Sequence, residues 1–432
     1  MPTDVFRILL GQIQREDVNA VSQVSRACRV QCEPLLFRTV TLNDGTKHGV
    51  RTPARVMDRL QKPGDALAKH VRDLVVAPSQ EPSRSFSQTI VRILKNLQHL
   101  ASFSWNAEYH IPAVVLDSLH HAHPSAQLKV TNHNRQCLPL DQTLLSSPQL
   151  QTLDMTVGCI HYGRPQDAAG ICELPHLKEL LVEGGNLKAL RLHLIKVQHG
   201  SAAARTRFAG YGASDVGPLN FRFEEGDAFP ALEEMVLRQK ESLRLEYGSE
   251  SGFGLGAAHC EDWKRCMDWS NMRKLDLGRT DCVHLLHRLT GALHQLTTLR
   301  FEAFPNDRVL QVFLSSVPRL VDLTMVSSQA FFFDRATNTI CNTAGAQLKT
   351  LVLEIDCPGS KSWLPDRFRN VLESCYRLES FKSVIDKQVA VGDWTSDEEG
   401  LSASEKYERM RVTGTQIPSM LFLVSYLLEK EM

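Results

Sequence analysis

Apolar residues recur along this chain with one spacing: an apolar residue, two spacers, an apolar residue, one spacer and another apolar residue. The segments 150–155, 177–182, 232–237 and 320–325 all follow it. The last two apolar residues lie two apart, so on a β-strand both side chains point to one buried face and the spacers point to the other. The pattern therefore predicts short strands with one buried face each.

These predicted strands recur at a nearly constant interval. The middle apolar residue of each match defines a series, and eight of its ten successive spacings are 24 to 30 residues. Such an interval is typical of leucine-rich repeats, in which stacked units bury a continuous core. The series is Leu74, Phe103, Leu128, Leu153, Leu180, Met235, Leu275, Leu299, Leu323, Leu351 and Phe381.

Helix-like stretches occupy the intervals, because apolar residues there repeat three and four positions apart. Proline stands two residues before the first apolar position of four strands, where it ends a helix and starts an extended segment. The fold class is therefore α/β: a leucine-rich-repeat-like solenoid over residues 43–385, with a curved parallel sheet and outer helices. The predicted helices cover residues 85–97, 112–121, 283–294, 307–316 and 366–375.

Two longer spacings interrupt the series. The 55 residues after Leu180 leave room for one more unit, and two segments compete for it. Residues 187–192 match the spacing but begin soon after Leu180, whereas Phe221 and Phe223 alternate like a strand without the full pattern. Both alternatives stay open. The 40-residue spacing before Leu275 contains the glycine- and serine-rich stretch 248–256, which predicts a loop insertion.

Composition narrows the functional classes. Lys and Arg number 49, as do Asp and Glu, so the chain lacks the strongly basic character of a nucleic-acid-binding protein. The longest apolar run, 420–428, is shorter than the roughly 20 residues of a membrane-spanning helix. Met1 leads directly into a helix-like motif, so no signal peptide is expected. Eleven cysteines without framework spacing predict reduced thiols and a cytoplasmic or nuclear location.

The sequence offers no recognisable catalytic constellation, and we expect no catalytic residue, no cofactor and no metal. Cys260 and Cys266 near His259, and Cys28 near Cys32, each lack the second ligand pair that a zinc site needs. Buried thiols are the favoured interpretation. Phosphate-binding loops and the hydrolase pattern Gly-x-Ser-x-Gly are also missing from the sequence.

Residues 1–42 form a different module. Apolar residues follow Pro2 at helical spacing, and Asp17 can begin a second helix. The order Pro2…Asp4-Val5-Phe6…Ile8-Leu9…Ile13, then Asp17-Val18…Val21…Val24, then Glu33-Pro34-Leu35-Leu36-Phe37, resembles an F-box. The whole chain resembles the F-box and leucine-rich-repeat proteins abundant in filamentous fungi.

This resemblance implies a role in an SCF ubiquitin ligase. An F-box binds the Skp-type adaptor, and through it the cullin, while the repeat domain recruits a protein substrate. The alternative is that residues 1–42 only cap the first repeat. The positions that match the adaptor-facing pattern are Pro2, Val5, Ile8, Leu9, Ile13, Val18, Val21 and Val24.

The spacer residues of the strands would meet a partner on the concave face. Their charges are mixed, which suits a folded protein or peptide better than nucleic acid. Individual positions could also be ordinary solvated surface, since few residues dominate an interface. The candidate substrate-binding residues are Thr152, Asp154, Glu179, Glu183, Glu234, Arg238, Lys274, Asp276, Thr298, Arg300, Glu302, Asp322, Thr324 and Glu354.

Residues 386–432 differ again, with an acidic linker followed by an apolar segment at 417–428. That segment is expected to cap the last repeat as a helix, or alternatively to bind a partner. Together the patterns predict a non-catalytic substrate-recognition subunit of an SCF-type ligase. The alternative is a repeat scaffold with a degenerate F-box and no role in ubiquitin transfer.

Overall fold

The computed structural model describes residues 10, 12–13, 15–43, 54–133, 140–161, 174–197, 223–239, 255–278, 282–304, 306–327, 330–355, 370–371 and 373–383. The chain divides into two compact units. The first comprises Met1–Gly158 and Glu173–His193, and the second comprises Cys159–Cys172 and Leu194–Met432. Within each unit, the order of neighbouring strands follows chain order.

The first unit begins with two helices and continues as alternating strands and helices. Ser25 separates the first two helices, and its side chain accepts a hydrogen bond from the backbone N–H of Cys28 at the start of the second. The elements are α1 Arg15–Val24, α2 Arg26–Leu36, β1 Thr39–Leu42, α3 Ala54–Gln61, α4 Ala66–His70, β2 Asp73–Val76, α5 Arg84–Asn96, β3 Ser102–Asn106, α6 Ala113–Ala122, β4 Gln127–Asn132, α7 Gln142–Leu145, β5 Leu150–His161, α8 Leu174–Gly184 and β6 Ala189–Val197. The last residues of β5 and β6, 159–161 and 194–197, belong to the second unit.

The second unit repeats the same alternation. Its helices begin with local caps, as where the Asn306 side chain accepts from the backbone N–H of Val309. The elements are β7 Glu234–Gln239, α9 Ala257–Cys266, β8 Lys274–Asp276, α10 Val283–Leu289, β9 Thr298–Glu302, α11 Asp307–Ser315, β10 Asp322–Ser327, α12 Ala330–Thr343, a 3-10 turn Gly345–Gln347, β11 Thr350–Ile355 and β12 Ser380–Ser383.

The parallel register aligns the apolar residues of the repeat within each unit. In the first unit, Leu74 pairs with Phe103, which pairs with Leu128, and all three are buried. In the second unit, a single row contains buried residues from all six strands. Its members are Met235, Leu275, Leu299, Leu323, Leu351 and Phe381. The α/β leucine-rich-repeat-like fold class is therefore confirmed.

One predicted strand is wrong. Residues 177–182 lie in helix α8, where Leu177, Leu180 and Leu181 repeat at three- and four-residue spacing and are buried together. Gly185, with φ +68°, follows the helix in the left-handed conformation that glycine adopts readily. The strand of this repeat is β6. Of the two segments that the sequence left as alternatives, 187–192 therefore provides the next strand of the series.

A second difference concerns the register between β4 and β5. Leu128 pairs with Leu150, and after an irregularity it is Val130 that pairs with Leu153. Leu128 and Leu153, successive members of the series, are therefore not opposite each other. One extra residue on β5, Gln151, opposes the irregular step and moves the later pairs by one position, as in a β-bulge.

Other sequence expectations meet the structure only in part. The helix expected at 283–294 ends at Leu289, and Gly291 follows with φ +78°. The sheet begins at Thr39, within the proposed 1–42 module, because β1 pairs with β2. Most of the stretch 248–256 and all of 386–432 lie outside the described residues, as does Phe221. Half of the helix expected at 366–375 also lies outside them, and residues 370–371 and 373–374 are helical. Phe223 is described but lies in no strand.

Candidate binding surfaces

The helices α1 and α2 form a small core of their own. Leu10, Val18 and Cys32 are buried together, and Val21 packs against them at partial exposure. Two of the predicted adaptor-facing residues, Val18 and Val21, therefore contribute to the interior of this helical module. Val18 is buried and offers no surface to an adaptor in this conformation, whereas Val21 keeps part of its side chain exposed.

Other apolar side chains of the helical module face solvent. Ile13 is 40% exposed, Val24 on α1 is 76% exposed and Val30 on α2 is 54% exposed. They are three of the six large apolar side chains that are exposed in the described part of the chain. The predicted contacts Pro2, Val5, Ile8 and Leu9 lie outside the described residues.

In the second unit, charged residues on the strand face that is opposite the buried leucines bind one another. The Arg238 Nε donates to Asp276 Oδ2 at 2.9 Å, and Arg300 lies on the other side of the same carboxylate, with Nε 3.7 Å from Oδ1. The Arg300 Nη2 also donates to Glu354 Oε2 at 2.9 Å. One row of alternating charges thus runs across β7, β8, β9 and β11.

Asp276 is the buried centre of this row, with its side chain 4% exposed. Besides the two arginines, its Oδ1 accepts a hydrogen bond from the backbone N–H of Gly278 at 3.1 Å. Gly278 has φ +52°, and a Cβ there would lie 3.0 Å from the Leu237 carbonyl oxygen. The turn after β8 therefore needs glycine both for its conformation and for space.

The remaining predicted residues of this face are arranged in smaller groups. Lys274 Nζ lies 2.7 Å from Glu234 Oε1, and the Thr298 hydroxyl donates weakly to Asp322 Oδ2 at 3.4 Å. Glu302 and Thr324 are half-buried on β9 and β10. Most charges of the predicted surface are therefore already paired within the chain.

Two predicted surface residues are on a helix, because the strand assigned to them is wrong. Glu179 and Glu183 are exposed on α8, and Glu179 Oε2 lies 3.6 Å from His176 Nδ1, one turn earlier. Glu179 and Glu183 are therefore not part of the candidate substrate-binding surface on the strands. Thr152 and Asp154 keep their predicted place on β5.

Asp154 is the centre of a cluster in the first unit that also includes two histidines. The Nε2 atom of His133, in the turn after β4, is 2.6 Å from Asp154 Oδ1. The Nε2 atom of His193, on β6, is 3.0 Å from the same oxygen. The two imidazole rings meet edge to face with centroids 4.5 Å apart. Arg191 Nη1 is 3.6 Å from the other carboxylate oxygen, Oδ2.

The surroundings of Asp154 favour its ionised form. Burial alone would raise the pKa of this carboxyl group, but hydrogen bonds and positive charge from His193 and His133 outweigh that effect and hold the pKa below its usual value. A carboxylate with one oxygen directed to two imidazole nitrogens is an arrangement that can bind a cation.

No local sequence pattern indicates this cluster, because its three residues are 21 and 39 positions apart. With the predicted strand at 177–182, His193 lies beyond any predicted strand, and its contact with Asp154 is not expected. The available signal was the competing match at 187–192: extended by one residue, it puts His193 on the same outward face as Arg191, next to the strand of Asp154.

Comparisons with solved structures find chains of similar structure. A chain in the crystal structure of the yeast Rad7 and Elc1 complex matches with a TM-score of 0.42 and 13% sequence identity, over 94% of this chain and 92% of that chain. No protein-family model and no curated protein matches the sequence. A likeness at this score supports no argument, so the fold assignment depends on the observed strand order and register.

Two further observations concern the chain as a whole. None of the helices in the described ranges is long and apolar enough to cross a membrane. Six of the seven described cysteines are buried, and Cys28 is partly buried. Cys260 and Cys266, which the sequence places near His259, are both buried; the Cys260 thiol donates to the Leu255 carbonyl oxygen at 3.5 Å.

Proposed function

We propose that this protein is a non-catalytic substrate-recognition subunit of an SCF-type ubiquitin ligase. The helical module would bind a Skp-type adaptor, and through it the cullin, while the strand face of the repeats binds a protein substrate. The main support is the concentration of exposed Ile13, Val24 and Val30 on a module that already has its own small core. Exposed apolar side chains that form a contiguous patch mark protein-binding sites, and this module carries half of the large exposed apolar side chains among the described residues.

The pairing of charges supports a protein as the substrate. Nucleic-acid binding needs Lys and Arg side chains that can neutralise phosphates. On the strand face of the second unit, Arg238, Arg300 and Lys274 each bind an acidic side chain of this chain. A folded protein that offers its own mixed polar and apolar groups suits this surface better.

Charged substitutions of the exposed apolar residues test the adaptor contact. We expect Val24→Asp and Val30→Asp to abolish co-purification with a Skp-type adaptor and cullin, because each would bury an unpaired charge in the interface. Both side chains face solvent, so the folded chain should tolerate them. Val114→Asp on α6 and Val312→Asp on α11 are matched controls, since these valines are 56% and 51% exposed on helices of the repeats.

The outcomes separate two functions. Loss of the adaptor with Val24→Asp or Val30→Asp but not with the controls supports the ligase subunit. Absence of adaptor and cullin from purified wild-type complexes would refute it. The second candidate, a repeat scaffold with a degenerate F-box, predicts that Ile8→Asp and Leu9→Asp leave the set of co-purifying proteins unchanged.

A further inference from the structure

We infer that His133, Asp154 and His193 form a binding site for one divalent transition-metal ion of the Zn²⁺ class. The three ligand atoms, two imidazole nitrogens and one carboxylate oxygen, lie within 4.8 Å of one another. No other cluster of three or more His, Cys, Asp or Glu groups with this proximity occurs in the described ranges. The inference does not depend on the proposed ligase function.

The ligand atoms are close to the spacing that a metal ion requires. Tetrahedral Zn²⁺ with bonds of about 2.0–2.1 Å would separate its ligand atoms by about 3.4 Å. Asp154 Oδ1 is 2.6 Å from His133 Nε2 and 3.0 Å from His193 Nε2. Inserting an ion would therefore increase these two distances by about 0.4–0.8 Å, which side-chain rotation can supply.

The backbone holds the ligands in place. Asp154 is located between Leu153 and Met155, whose side chains are buried on the opposite face of β5. His193 is fixed in the same way by Leu192 and Leu194 on β6. His133 follows β4 directly, and its carbonyl oxygen accepts a hydrogen bond from the Thr156 hydroxyl. Two ligands on adjacent strands and a third in the turn directly after β4 give a site that is largely formed before the ion binds.

The donor set selects the kind of ion. Two imidazoles with one carboxylate suit Zn²⁺, Co²⁺, Ni²⁺ or Cu²⁺, whereas Ca²⁺ and Mg²⁺ prefer sites built of oxygen ligands. Three protein ligands leave a fourth position for water, as in open zinc sites. The side chains of His133 and His193 are 48% and 24% exposed, so an ion can reach the site from solvent.

Arg191 affects the site through the other carboxylate oxygen. Its Nη1 lies 3.6 Å from Asp154 Oδ2, while both imidazoles approach Oδ1. The guanidinium therefore orients the carboxylate with Oδ1 toward the histidines. Its positive charge also lowers the affinity for a cation, so replacing Arg191 with Met should strengthen binding.

Metal titration of the full-length, chelator-treated chain tests the site. We expect one Zn²⁺ ion to bind in isothermal titration calorimetry, and Co²⁺ to give d–d absorption without a thiolate charge-transfer band, because the ligands include no cysteine. His133→Ala and His193→Ala should each weaken Zn²⁺ binding by more than about 100-fold, beyond the 10–100-fold typical of losing an outer-shell partner. His176→Ala is the matched control, since His176 also lies beside a carboxylate but in a pair of only two groups.

Each result decides for or against the site. Loss of binding in both histidine variants, with unchanged circular dichroism and with the control still binding, supports it. Because Asp154 is buried and its replacement could prevent folding, the two histidine variants carry the test. A wild-type chain with no saturable uptake of Zn²⁺ at micromolar concentration would overturn the inference, and the cluster would be a hydrogen-bonded network only. Equal affinity in wild type and both variants would assign the ion to another place.

Discussion

The imidazole of His259 provides a pH test of the packing in the second unit. It lies on α9 against aromatic rings, with its ring centroid 6.5 Å from that of Phe223 and 5.7 Å from that of Trp263. Its Nε2 atom is buried and has no hydrogen-bond partner among the described residues. Burial lowers the pKa of His259 from 6.5 to about 4, and the nearby Asp262 charge opposes this only weakly.

The lowered pKa makes stability depend on pH in one direction. The unfolded chain takes up this proton near pH 6.5, whereas the folded chain takes it up only near pH 4. Stability is therefore unaffected by His259 above pH 6.5 and falls as the pH drops from 6.5 to 4. The full shift corresponds to about 3 kcal/mol, and about 2 kcal/mol of it is lost by pH 5.

Urea unfolding at pH 7 and pH 5 measures this contribution. We expect the free energy of unfolding of wild type to fall between these pH values by about 2 kcal/mol more than that of His259→Phe, which cannot take up the proton. Trp263 beside the substituted ring provides a fluorescence signal from the same region. His121→Phe serves as a control, because His121 is exposed on α6 and its Nδ1 contacts the Asp117 carbonyl oxygen.

The comparison can refute the reasoning directly. If wild type and His259→Phe lose the same free energy between pH 7 and pH 5, the imidazole is not held neutral by burial. If His121→Phe removes as much of the pH dependence as His259→Phe, the effect belongs to histidines in general and not to this aromatic environment.

Three further substitutions test the repeat packing, each by urea unfolding against wild type. Leu323→Ala removes a fully buried member of the leucine row and should cost about 3–5 kcal/mol, whereas a loss below 1 kcal/mol would contradict the close packing of the row. Asp276→Ala leaves two arginines without their buried partner and should cost about 2–4 kcal/mol, with Asp276→Asn less severe because its amide oxygen still accepts from Gly278. Gly345→Ala places a Cβ 2.8 Å from the Ser374 carbonyl oxygen and should cost about 1–3 kcal/mol; an unchanged stability would mean that this backbone yields easily.

Most rows of buried residues across neighbouring strands were predictable from the sequence, because the apolar spacing that defines them is local. In a parallel sheet whose strands repeat at one interval, two apolar residues two apart identify the buried face without knowledge of any partner strand. Leu275, Leu299, Leu323 and Leu351 follow this rule and pair as expected. At 177–182 the same letters also fit a helix, since positions 177, 180 and 181 share one helical face. A short apolar segment can fit both the strand period and the helix period. The packing of α8 determines that this segment is a helix.

For the charged residues, the sequence predicted only which face of the strand they occupy. The spacing placed Asp154, Arg238, Asp276 and Arg300 opposite the buried leucines. Which of them bind each other depends on the alignment of neighbouring strands, and a bulge such as that between β4 and β5 moves the later pairs. His133 shows the limit most clearly, because it follows its strand and belongs to no repeat position.

By itself the sequence determined the architecture: a regular apolar period over most of the chain can bury itself only by stacking unit on unit. It also determined that residues before β1 follow a different, helical pattern. Tertiary structure alone decided which charges meet, which apolar residues of the first helices stay exposed, and that two histidines meet one aspartate. Those outcomes depend on contacts between residues tens of positions apart, whose relative placement is set by the register of whole strands and by no local pattern.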